Sequence, residues 1–160
     1  MRQLLGTNNI FAFMRKIVFL GIGILSIISC KNRDKQISLD SFKKIPTEID
    51  GCSCLFAEND LKYKNQEYIF ASNFDSIGFI SVENKLIKLS LTEKKYKPNT
   101  VENEDYNCTY EGEGYKVIVN IKADKTKRDS DETWWNLGSI KVENKEGEEI
   151  EKSLVGESGC

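Results

Sequence analysis

Among its 160 residues the chain has no histidine, two prolines and two methionines, and its longest apolar stretch falls short of a membrane span. Without histidine there is no Ser-His-Asp or Cys-His nucleophile system and no imidazole-ligated metal or haem. A glycine-rich phosphate loop is missing too. "GIG" at Gly21 to Gly23 lies in the apolar stretch, and "EGEG" at Glu111 to Gly114 puts carboxylates where a phosphate would want none. Nor is there a basic excess: 23 Lys and Arg against 25 Asp and Glu give a net charge of −2, which argues against nucleic acid as a partner. No cofactor is implied.

What is present begins with "MRKIVFLGIGILSIISCKN", Met14 to Asn32. The apolar part, Ile17 to Ile28, is 12 residues long and follows Arg15 and Lys16. A helix needs roughly 20 residues to cross a bilayer, whereas a basic start and an apolar stretch of this length describe a secretory signal. Its end, Ile27-Ile28-Ser29-Cys30, resembles the bacterial lipobox: an aliphatic residue three before a cysteine, a small one just before it, then the cysteine. That resemblance implies a lipoprotein of the bacterial envelope. Residues 1–29 are then a removed signal, which starts either at Met14, as an ordinary lipoprotein signal would, or at Met1 with a long n-region, and Cys30 is the fatty-acylated N-terminus. The partner it implies is the membrane, inner or outer, with the domain displayed in the periplasm or at the surface. Loss of Arg2, Arg15 and Lys16 with the signal takes the net charge from −2 to −5.

The mature 131 residues are enough for one domain with a core of its own. Residues 30–45 are polar and charged with little periodicity, and read as a tether; residues 46–160 read as the folded domain. Four cysteines remain in it: Cys52, Cys54, Cys108 and Cys160. In an exported chain an even set predicts two disulfides. A Cys52–Cys54 ring would be strained, so the expectation is Cys52 and Cys54 paired with Cys108 and Cys160, in either order. Each bridge would stabilise by about 4 kcal/mol on the chain-entropy account. The Cys-x-Cys pair lacks the spacing of a structural zinc site, and no metal is expected.

The pattern along the domain is that of strands. "EYIFAS" (Glu67 to Ser72) is rich in aromatic and β-branched residues, and Ser76 to Leu91 holds two runs about Glu83-Asn84-Lys85. In the second run Ile87, Leu89 and Leu91 share one face while Leu86 and Lys88 share the other. Further pairs are Tyr106 to Tyr110 with Tyr115 to Lys122, turning at Glu111 to Gly114, and Ser139 to Glu143 with Glu148 to Leu154, turning at Asn144 to Gly147. No segment holds a helical period for three turns. The fold class is therefore all-β: an antiparallel β-sandwich or small β-barrel braced by two disulfides. "VENK" occurs at Val82 to Lys85 and again at Val142 to Lys145, marking two hairpin turns.

Candidate chemistry is sparse. Glu102, Glu104 and Asp105 form one acidic cluster and Asp129, Asp131 and Glu132 another; both read as solvated loop ends rather than a catalytic acid pair. In "TWWNLG" the adjacent Trp134 and Trp135 of a strand point to opposite faces. One then fills the core while the other offers a flat indole to a sugar ring or a protein.

The lipobox, "GCSC" (Gly51 to Cys54), "CTYEGEGYKV" and the terminal "GESGC" together resemble small uncharacterised bacterial lipoproteins. Tyr106-Asn107-Cys108 and "EGEGY" are also similar to elements of the membrane-anchored lysozyme inhibitors, small β-barrels on a lipid anchor. No inhibitory residue carries over, because the serine of their Ser-Gly-x-x-Tyr loop is missing. The expectation is a non-enzymatic, lipid-anchored binding or structural module for an envelope protein or glycan, with inhibition of lysozyme or another envelope-directed hydrolase as the alternative.

Overall fold

The structure, a computed structural model, describes residues 37–74, 76–98, 105–127 and 133–160. The signal, Cys30, the start of the tether, Glu102, Glu104, Asp129, Asp131 and Glu132 lie outside the described residues.

In chain order the elements are β1 (Leu39–Asp40), β2 (Ser53–Ala57), a short helix α1 (Asp60–Lys64), β3 (Tyr68–Asn73), β4 (Ile77–Val82) and β5 (Lys85–Tyr96). They are followed by β6 (Asp105–Gly112), β7 (Tyr115–Ala123), β8 (Thr133–Asn144) and β9 (Glu149–Gly159). From β2 to β9 each strand pairs antiparallel with the next, and β9 returns to β2 through Ser53↔Gly159 to Ala57↔Val155. The sheet is thus a closed eight-stranded up-and-down barrel, which settles the choice between sandwich and barrel. Closure leaves neither β2 nor β9 as an open edge.

Alternation builds the lumen. Tyr106, Cys108 and Tyr110 on β6, Val117, Val119 and Ile121 on β7, and Ile140 and Val142 on β8 are all buried, with solvated or half-buried neighbours between them. Ile87 and Leu89 are buried and Leu86 and Lys88 exposed, as their alternation predicts. Phe56 and Phe70 stack in the core with centroids 6.4 Å apart, and Tyr110 meets Phe70 edge-on at 5.3 Å. Burying a side chain of this size contributes about 2–3 kcal/mol.

Three glycines let the strands coil this tightly. A Cβ on Gly112 would lie 2.3 Å from the Lys88 carbonyl oxygen, one on Gly138 1.9 Å from that of Asn120, and one on Gly156 2.0 Å from that of Leu55. Only a residue without a Cβ permits such backbone approach at a barrel bend.

The tight turns sit at one end of the barrel. Glu83 and Asn84 both have positive φ, as do Glu113 and Gly114, so β4–β5 and β6–β7 are joined by two-residue turns of the kind that match strand twist. The second "VENK" is different: Glu143 and Asn144 still belong to β8, and Asn144 Oδ1 accepts from the backbone N–H groups of Glu146 and Glu148 to organise a longer turn. The same four residues therefore make two unlike connections.

Two expectations need correction. The described chain is already packed at Ile37 and Leu39, inside the stretch 30–45 read as tether. Strand β3 pairs with β4 only at Ala71↔Phe79 and Ser72↔Gly78; β1 takes over the far end of β4 at Leu39↔Val82 and Asp40↔Ser81, and Phe42 bridges to Tyr68. The polar composition of that stretch hid the two apolar residues that plug this seam. Secondly, among the described residues there is one disulfide, Cys52–Cys160, while Cys54 and Cys108 are unbridged and buried. Cys54 lies on β2 and Cys108 on β6, four strands apart around an eight-stranded ring. A bridge requires Cα atoms within about 6.8 Å.

Candidate functional site

The end opposite the tight turns carries the features of most chemical interest. There β2, β4, β6 and β8 begin, β3, β5, β7 and β9 finish, and Cys52 is joined to Cys160. The lumen is aliphatic toward the tight turns and polar toward this end. Cys54 Sγ lies 3.8 Å from the Tyr106 hydroxyl. Asn136, fully buried, donates through Nδ2 to the Trp134 carbonyl at 2.7 Å and to Ser158 Oγ at 2.8 Å. Its Oδ1 is buried without a hydrogen-bond partner.

Burial decides the ionisation of this cluster. It pushes the Cys54 thiol up, against the opposing effect of its hydrogen bonds to Tyr106 and Ser72. It pushes Cys108 up to about 11 and holds the Tyr106 and Tyr110 phenols above their ordinary range. Protonated, enclosed thiols are poor nucleophiles and poor metal ligands. Among the described residues no group of three or more Cys, Asp or Glu side chains is arranged to hold a metal ion.

The two tryptophans diverge as adjacent strand residues must. Trp134 shares a cross-strand row with Ser158 and Cys54, on the lumen side; Trp135 shares one with Glu157 and Leu55, on the outer wall. Neither is fully buried or fully exposed. Helix α1 starts at Asn59, whose side chain accepts from the Lys62 backbone N–H, and this sets Tyr63 edge-on to Trp135 with centroids 4.9 Å apart. Tyr63 also meets Tyr68 at 5.7 Å. Lys127 Nζ lies 5.2 Å from the centre of the Trp135 ring and 3.6 Å from Asp60 Oδ2. The outward indole is thus part of an aromatic and charged cluster rather than an open platform. Tyr63 and Lys127 carry no motif, and only the folding of α1 and of residues 124–127 after β7 brings them to Trp135.

Family models, curated proteins and solved structures give no match to this chain.

A second surface lies on the other flank. Residues 41–48 run along the outside of β4 and β5 and leave a groove of about 530 Å³. Phe42, Pro46, Phe79 and Leu86 supply its apolar lining, and Lys43, Lys44 and Glu48 its charged lining. Of the acidic residues singled out in the sequence, Asp105 is described: its Oδ1 accepts from the Ala123 backbone N–H, which ties β6 to the end of β7.

Proposed function

We propose that this chain is a non-enzymatic binding or structural module, anchored in the bacterial cell envelope through acylated Cys30, which meets a protein or glycan partner at the end of the barrel bearing Trp134 and Trp135. The observation that carries the reading is the Cys52–Cys160 disulfide, since such bridges form and persist in oxidising compartments beyond the cytoplasm. The lipobox at Ile27 to Cys30 supports the same address. The outward indole of Trp135, with Tyr63 and Lys127 beside it, supports a partner that combines flat apolar faces with acceptor groups.

The test is mass spectrometry of the protein purified from membranes without reduction. A diacyl or triacyl N-terminus at Cys30 together with a Cys52–Cys160 cross-link is the expected result. An unprocessed N-terminus and four thiols would overturn the reading. Partner capture by the anchored protein is then expected to weaken with Trp135→Ala and not with a substitution at exposed Lys116, which lies on the same outer wall but at the tight-turn end of β7.

The closed small barrel also favours the alternative, inhibition of lysozyme or another envelope-directed hydrolase, because the family with the Tyr-x-Cys element is built as a small barrel. Here the late Cys160 is bridged to Cys52 and not to Cys108 of that element. Addition of the purified protein to a lysozyme assay on cell walls is expected to lower turnover if this alternative holds; unchanged turnover at saturating protein rejects it.

A further inference from the structure

Strand β5 changes partners midway. From Lys85 to Ser90 it pairs with β4, and from Ser90 to Tyr96 with β6, with a register shift between Leu91 and Glu93. Its second half therefore overhangs the start of β4, and the connection after β3 brings Phe74 up to this flank. Lys94 lies opposite Cys108, so its side chain leaves the strand on the lumen side of the rim.

Three aromatic rings surround its ammonium. Lys94 Nζ is 4.9 Å from the centre of the Tyr106 ring, 5.2 Å from that of Tyr96 and 5.8 Å from that of Phe74. The Tyr96 and Tyr106 rings meet at 63°, with centroids 6.3 Å apart, and form two walls of a corner. All three distances are inside the roughly 6 Å over which a ring face attracts a cation. Tyr106 is buried and held at its hydroxyl near Cys54, Phe74 packs against the core, and Tyr96 is the solvated outer wall.

We propose that Phe74, Tyr96 and Tyr106 form a binding site for an organic cation, a quaternary ammonium group above all, and that Lys94 occupies it as a resident plug in the present conformation. Aromatic cages of this kind favour methylated ammonium groups, whose weak hydration costs little to remove. A primary ammonium is strongly hydrated and a poorer guest. Lys94 holds the place because it is tethered to the site by its own strand and enjoys a high effective concentration there. This site is separate from the Trp135 cluster and does not depend on the lipid anchor.

Tetramethylammonium chloride, titrated into the purified protein and followed through the tyrosine ring resonances by NMR, is the test, with sodium chloride at equal ionic strength as the control. Lys94→Ala is expected to bind it saturably and about tenfold or more tightly than the parent protein, and Tyr96→Ala added to Lys94→Ala is expected to abolish that binding. A folded Lys94→Ala protein whose rings respond alike to both salts would overturn the proposal. Should Lys94→Ala fail to fold, the parent protein answers instead. Its Lys94 ε-methylene protons are expected upfield under ring currents and to move downfield as tetramethylammonium displaces them; ordinary, unresponsive shifts would overturn it.

Discussion

Cys52 and Cys160 are joined across the seam where the barrel closes: Cys52 immediately precedes β2, Cys160 immediately follows β9, and those two strands are the pair that turns the sheet into a ring. The bridge spans 108 residues of sequence. On the chain-entropy account a loop of that size stabilises by about 4–5 kcal/mol. Urea unfolding of Cys52→Ser/Cys160→Ser is expected to show a loss of that order with an unchanged native fold by circular dichroism. A loss under about 1 kcal/mol would mean that the β2–β9 hydrogen bonds hold the seam without help.

Cys54 and Cys108 are expected to be silent to a thiol reagent at pH 8 in the native state and to titrate as two thiols after unfolding without reductant. Burial raises the folded-state value of Cys108 from 9.0 to about 11, so the folded protein holds this proton more tightly than the unfolded chain. This contribution to stability is whole below pH 9 and is lost as pH rises toward 11. Tyr106 and Tyr110, raised by burial as well, act in the same direction. The urea midpoint is expected to fall between pH 9 and 11, and less steeply in Cys108→Ala.

Glycine-to-alanine substitutions rank by what the new methyl meets. Gly138→Ala and Gly156→Ala drive a Cβ into a carbonyl oxygen at 1.9 and 2.0 Å, which neighbouring strands relieve only by moving apart. A loss on the order of 3 kcal/mol is expected. Gly147→Ala has open space but a φ of +81°, and is expected to lose about 1 kcal/mol. Thermal melts of the three variants check the order; equal losses would refute it.

Asn136 is the most demanding interior polar residue, because both of its donor bonds are made and its Oδ1 meets no donor. Asn136→Asp replaces the donating amide by a carboxylate facing the Trp134 carbonyl. A destabilisation of about 3 kcal/mol or more is expected, larger than that of Asn136→Ala and growing from pH 4 to pH 7 as the carboxyl ionises. Chemical denaturation at the two pH values makes the comparison.

Much of the barrel wall was legible in alternation. The inward rows through Ile87 and Leu89, or through Tyr106, Cys108 and Tyr110, follow from a period of two, and turn residues marked the three hairpins. Closure was not legible: the period states which face of a strand is buried and is silent on whether the first and last strands meet. The cysteines misled for a related reason, since Cys52 and Cys54 are near neighbours in sequence while one ends at the rim and the other turns into the lumen. Trp134 and Trp135 fell on opposite faces as the pleat requires. The clusters around them did not show, because Tyr63, Lys127 and the Phe74–Lys94 pair are brought together by a short helix and a strand overhang that carry no periodic signal.

The disulfide also has a mechanical meaning. From Cys52 to Cys160 the backbone is a covalent ring, and the described residues before Cys52 hang from it as a single leash. Tension applied on the N-terminal side would first unzip the two-residue pairing of β1 with β4. At Cys52 the load would then divide between β2 and β9, so the barrel would resist as a loaded hoop, and pulling would lengthen the leash long before it opened the fold.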